Sequence, residues 1–152
     1  MSLARSEEGQ LMTFYVGEDL YGIEVMQVQE VTGHLPIKHV PLAPEFVKGL
    51  INLRGQIATA LDLRSLFSLK EEGHNPNDCV SVVCKLDGNL VSLLVDSLGD
   101  VVESDQQLKE EVPETIPGGV KRYLKGISKR EAGLLSIIDL NKLGEELNLE
   151  NN

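Results

Sequence analysis

The stretch Val47–Phe67, VKGLINLRGQIATALDLRSLF, decides the fold. Two apolar runs, Leu50–Leu53 and Gln56–Leu61, flank Arg54-Gly55. Two such runs separated by two residues predict a β-hairpin, and glycine supplies the positive φ that a two-residue turn requires. Arg54 at the tip keeps its charge in water. Asp62 stands between the second run and Leu63–Phe67. It is expected to cap a short helix there, its carboxylate accepting from free backbone N–H groups.

The same order returns 77 residues later. Leu124–Leu143, LKGISKREAGLLSIIDLNKL, sets Lys125-Gly126 on Lys48-Gly49 and Asp139-Leu140 on Asp62-Leu63 without a gap. Residues 11–31, moved forward by 70, set Phe14 on Cys84, Val16 on Leu86, Leu20 on Leu90 and Ile23 on Leu93. Val25, Val28 and Val31 then fall on Val95, Leu98 and Val101. In the first copy, Leu11–Val16 and Leu20–Val25 read as a hairpin around Gly17-Glu18-Asp19. The spacing of Val25, Val28 and Val31 predicts a helical turn with one buried stripe. The offsets differ by seven, so the second copy has the longer middle loop, ESDQQLKEEVPETIPGGVKR at 103–122.

Internal repetition of this kind points to duplication. The expectation is a mainly β chain of two similar subdomains, about 11–68 and 79–145, joined near Leu69–Asp78, after a disordered start over 1–10. About five short strands per unit are too few for a large sandwich, and closing them into small barrels removes exposed edges. Units this small should share a core. The last residues, to about 150, have room to pack back on the first subdomain. One feature does not repeat: Glu131-Ala132 replaces Arg54-Gly55. A pure folding need would recur in both copies, so the difference points to a binding role for Arg54. Asp62 and Asp139, both read as helix caps, make a poor catalytic pair.

The 152 residues carry a formal charge of −10, from 14 basic and 24 acidic side chains. Such a field repels phosphate backbones, which argues against nucleic acid and anionic membrane as partners. Aromatic residues are 4% and Trp is absent, so the core must be aliphatic. Cys79 and Cys84, five apart on one expected strand, point to opposite faces, which disfavours a disulfide or a metal pair. Two buried free thiols fit a reducing cytosol. No apolar run approaches the roughly 18 residues of a membrane helix, and no charged-then-apolar leader opens the chain. Gly118-Gly119-Val120-Lys121 is not a phosphate loop, and His34, His39 and His74 lack zinc spacing. No nucleophile elbow occurs. An enzyme, a cofactor and a metal site are therefore not expected. An SH3-type peptide-binding module would want an aromatic-lined groove, and the chain has three Phe and three Tyr. A small-molecule-binding barrel would want a cavity that five short strands hardly leave.

YGIEVMQVQEV, residues 21–31, followed by the opening stretch with its INLRG and DLR segments, resembles the chemotaxis coupling proteins of the CheW family, from Phe14 to about Leu147. The resemblance implies two five-stranded SH3-like barrels around a shared core, with a few short helices, and a non-catalytic adaptor. Such an adaptor joins the cytoplasmic tips of chemoreceptors to the regulatory domain of a chemotaxis histidine kinase, in the cytoplasm and within receptor arrays. By the family's pattern, Val28, Glu30 and Arg54 lie on or beside the receptor-facing groove, and Leu42, Phe46 and Gly49 on the kinase-facing part. The residues alone equally allow Val28 and Phe46 to be core and Glu30 to be a solvated helix charge. Ala58-Thr59-Ala60 stands where the family more often has Pro and larger aliphatics, which slims that strand.

Overall fold

A computed structural model describes residues 9–67, 79–103, 109–110, 116, 118–131 and 133–151. The expected joint at Leu69–Asp78 and most of the expected disordered start therefore lie outside the described residues. Eleven strands are present among the described residues: β1 (Gln10–Val16), β2 (Asp19–Glu24), β3 (Val28–Thr32), β4 (Val47–Leu53), β5 (Gln56–Asp62), β6 (Val80–Leu86), β7 (Asn89–Val95), β8 (Ser97–Glu103), β9 (Lys109–Glu110), β10 (Leu124–Arg130) and β11 (Gly133–Ile138). The α-helices are α1 (Leu63–Leu66), α2 (Gly118–Lys121) and α3 (Leu140–Asn151).

The repeat is reproduced residue for residue. β4 begins and ends 77 residues before β10. Its pairing with β5, Val47↔Leu61 then Gly49↔Ala60 across a bulge, recurs as Leu124↔Ile138 then Gly126↔Ile137. The β1–β2 hairpin likewise maps onto β6–β7, Val16↔Asp19 recurring as Leu86↔Asn89. Asp62 caps α1 by accepting from Arg64 N at 3.0 Å, and Asp139 accepts from Asn141 N at 3.0 Å at the start of α3. Both caps are as expected.

The strands do not follow the expected division into 11–68 and 79–145. One sheet runs β8-β1-β2-β11-β10-β9 and the other β3-β6-β7-β5-β4. Each copy has given its first hairpin to the other copy's sheet. β5 pairs in parallel with β7, Ala58↔Leu90, and β11 pairs in parallel with β2, Leu135↔Leu20, which are equivalent registers. The β1–β8 and β3–β6 pairings match in the same way, Phe14↔Leu98 and Val28↔Cys84. Repetition in sequence says which strands are alike but not which copy they pair with, so contiguity was the wrong inference. A second correction concerns Val25, Val28 and Val31. Only Val25–Gln27 is helical, as a 3-10 turn with no buried residue, and Val28 and Val31 belong to β3.

Both sheets curl into SH3-like barrels. β3 and β4 are opposite edges of the five-stranded sheet, yet Arg54 beyond β4 pairs with Glu30 on β3. In the other sheet Arg130, ending β10, donates to the Glu103 carbonyl, ending β8, at 2.6 Å. The sixth strand, β9, is two residues long, and its pairing Ile127↔Glu110 has a one-bridge counterpart, Leu50↔Lys38. The barrels share the principal core. Phe14, Tyr21 and Ile23 from one sheet meet Leu61, Cys84 and Leu93 from the other. Two small clusters sit apart from it: Leu11, Leu135 and Ile137, and Ile51, Ala60 and Leu94. Each draws its buried residues from one sheet alone, so each is read as the filling of a barrel. α3 lays Leu143 into the shared core and brings Leu147 against it.

Candidate partner-binding surfaces

Arg54 and Gly55 form the β4–β5 turn with φ of 53° and 90°. Positive φ at both central residues gives the twist that a two-residue hairpin needs. Gly55 adopts it freely, whereas Arg54 is held there against steric preference. Asn52 Oδ1 helps by accepting from Gly55 N at 2.9 Å. The Arg54 side chain is 74% exposed and its guanidinium reaches Glu30, which is 21% exposed. Two residues from Glu30, Val28 is half-buried against the shared core. The structure thus brings Glu30 and Arg54 into contact and sets Val28 on the same strand as Glu30. Val28 touches core and remains partly accessible, so both roles allowed by the sequence are open to it.

Leu42, Phe46 and Gly49 share a chain segment but not an environment. Leu42 is fully exposed at φ 64°. An apolar side chain held in water on a strained backbone gains nothing from folding, and such positions cluster at functional sites. Leu42 borders a cleft of about 300 Å³ with Pro44, Leu50, Thr59 and Leu147. Phe46 is partly buried against the shared core, and its carbonyl accepts from Asp62 N at 2.8 Å. Gly49 is buried, with φ 149°. A Cβ there would overlap the Lys38 carbonyl, whose oxygen accepts from Leu50 N at 2.8 Å. Gly49 therefore presents no side chain and instead lets the incoming segment lie on β4.

Reasoning from sequence passed over two features. Leu98 and Val101, repeat equivalents of Val28 and Val31, are 44% and 52% exposed on β8, an edge strand. The 70-residue offset was signal enough to mark them as a second apolar stripe. The other feature is Arg64 of the DLR segment. Its Nε and Nη2 bond Asp96 Oδ1 and Oδ2 at 3.1 and 2.8 Å, and Asp96 Oδ2 also accepts from Gly17 N at 2.7 Å. The hydrogen bond to Asp96 holds the guanidinium above its ordinary pKa. Nothing in the sequence joins residues 32 apart.

Cys84 is fully buried, and burial pushes its thiol up to about 12. Cys79 precedes β6 and is only partly buried, which corrects the expectation of two buried thiols. Neither cysteine forms a disulfide. No cluster of potential metal ligands occurs among the described residues, and no described helix is long and apolar enough to cross a membrane.

Comparison with known proteins matches a CheW-like domain to residues 10–147. This chain belongs to the CheW family. The chemotaxis protein CheW of Klebsiella aerogenes is 31% identical over 153 residues, covering 99% of this chain and 92% of that protein. The chemotaxis protein CheW of Treponema pallidum is 29% identical over 140 residues, covering 90% and 82%. The crystal structure of the scaffolding protein TtCheW from Thermoanaerobacter tengcongensis is similar with a TM-score of 0.77 and 30% identity, covering 86% of this chain and 88% of that one. Its likeness agrees with the CheW-like pair of barrels, and the match to the family model spans all eleven described strands.

Proposed function

We propose that this chain is a non-catalytic chemotaxis adaptor that couples chemoreceptor cytoplasmic tips to the regulatory domain of a chemotaxis histidine kinase, in the cytoplasm and within receptor arrays. The observation that carries the reading is the asymmetry of the repeat. One hairpin tip of two holds an arginine in a strained, exposed conformation, paired with an acid on the opposite edge strand. Similarity to proteins named for chemotaxis and to one named as scaffolding supplies the biological setting. On this reading Val28, Glu30 and Arg54 meet the receptor: Val28 gives apolar contact, and the ion pair lies at the rim. Leu42 meets the kinase directly, while Phe46 and Gly49 hold its segment in place from beneath. The chain does its work by binding on separate faces and needs no reaction centre.

The test is co-sedimentation with receptor fragments and kinase, omitting each component in turn. Assembly of all three that depends on this chain is expected. Arg54→Glu sets two carboxylates face to face and should weaken receptor binding about tenfold, in the range of one disrupted charged contact. The fold should survive by circular dichroism, because an exposed ion pair contributes only about 1 kcal/mol or less. Unchanged receptor binding by Arg54→Glu would reject the groove assignment. Assembly that proceeds without the chain would reject the adaptor.

A further inference from the structure

The two barrels meet at two ends related by the internal repeat, and those ends are fastened differently. At one end Asp96 follows β7, where the chain crosses from the five-stranded to the six-stranded sheet. Its carboxylate takes Arg64 of α1 in a two-pronged contact and also accepts from Gly17 in the β1–β2 turn. Its own amide donates to the Tyr15 carbonyl at 2.9 Å. The Arg64 and Asp96 side chains are 13% and 23% exposed. One carboxylate thus ties a helix that follows the five-stranded sheet to a hairpin of the other. Behind it Phe67 stacks on Tyr21 at 5.0 Å and lies 6.3 Å from Tyr123.

The offsets of 70 and 77 carry Asp96, Arg64 and Phe67 to Met26, Asn141 and Gly144. Met26 and Asn141 bear no charge and both are exposed, so the ion pair has no counterpart there. Gly144 replaces an aromatic ring by nothing. Its bare backbone faces Leu86 so closely that a Cβ would run into Leu86 Cδ2. This end is covered by α3 through Leu140, Leu143 and Leu147, with a glycine in mid-helix, and its charged contact is the long, partly exposed pair of Glu146 with Arg122 at 3.9 Å. Charge-assisted, two-pronged bonds fix direction as well as distance. Apolar packing has no preferred direction, and glycine loosens a helix interior.

We propose that Arg64 and Asp96 form the fixed pivot of the two-barrel body, and that the barrels move against each other by sliding at the end covered by α3. The device belongs to the chain alone and requires no partner, so it stands or falls apart from the adaptor reading. The test is native-state hydrogen exchange on the full chain, followed amide by amide. The Gly17 and Arg64 amides should exchange at least tenfold more slowly than those of Leu143–Leu147. Asp96→Asn should speed exchange at Gly17 at least tenfold while leaving Leu143–Leu147 within twofold, because the latter already open independently. Should Asp96→Asn fail to fold, Arg64→Lys keeps the charge, loses the two-pronged geometry and is read in the same way. Exchange at the α3 end as slow as at Gly17, or Gly17 protection unmoved by the variant that folds, would overturn the pivot.

Discussion

In the six-stranded barrel, β11 fills the interior with Leu135 and Ile137, whereas the equivalent positions of β5 hold Ala58 and Ala60. All four side chains are fully buried. The missing volume in the second case is supplied by the chain after β3, since Leu35 and Ile37 pack onto Ile51, Ala60 and Leu94. That segment then bonds β4 at Lys38, which requires a glycine at 49, and runs on to expose Leu42. The barrel with the slimmer strand is thus the one that draws in a loop and presents an apolar residue on a strained backbone. Two copies of one plan have been made different by trading core side chains for a connection.

The sharpest way to break the comparison is to swap the interiors. Leu135→Ala should lower stability by about 2–5 kcal/mol, the range for a buried leucine that leaves a cavity. Ala58→Leu should cost about 1–3 kcal/mol by overpacking a space already occupied. Urea melts of both variants check this, and a harmless Ala58→Leu would mean that the five-stranded barrel is not filled as described. Gly49→Ala comes next at about 1–3 kcal/mol, from strain at its φ and loss of the Lys38–Leu50 contact. The loss should be accompanied by faster exchange of the Leu50 amide.

Alkaline pH separates the copies by chemistry. Cys84 occupies the place of Phe14, and burial pushes both its thiol and the Tyr21 hydroxyl up to about 12. A raised pKa means that the folded state keeps a proton the unfolded chain gives up. Stability contributed by these groups is full below their unfolded pKa values and should fall as pH rises from about 9 towards 12. Cys84→Ala should flatten the lower part of that fall in melts taken every half unit of pH, at the cost of a cavity at every pH. The smallest effect is expected at Leu42. Leu42→Gly removes no buried surface and relaxes a positive φ, so the melting temperature should hold or rise slightly while kinase co-sedimentation drops. A marked loss of stability would show that Leu42 packs on something.

Much of this was legible in the sequence because strands, turns and caps are local. The hairpin at Arg54-Gly55, the caps at Asp62 and Asp139 and the 70- and 77-residue offsets needed only neighbouring residues and a ruler. Hairpin exchange was not legible, since Ala58 meets Leu90 just as readily on pattern as it would meet Leu20. The spacing of three suggests a helix at Val28 and Val31, but β-branching and pairing with β6 place both in a strand. Of the candidate site, Arg54 could be marked by its absence from the second copy. Glu30 is marked only by the family resemblance, and its contact with Arg54 is not legible, because only curling of the sheet brings opposite edges together.

Hairpin exchange also bears on how the chain is made. The five-stranded barrel has all of its strands once synthesis has passed Val95, but β1 and β2, written first, must wait for β8 and β11, the latter ending at Ile138. Until β11 emerges a finished hairpin stands on the nascent chain with its β2 edge unsatisfied, and that closure spans more than a hundred residues, which slows folding and invites stray pairing.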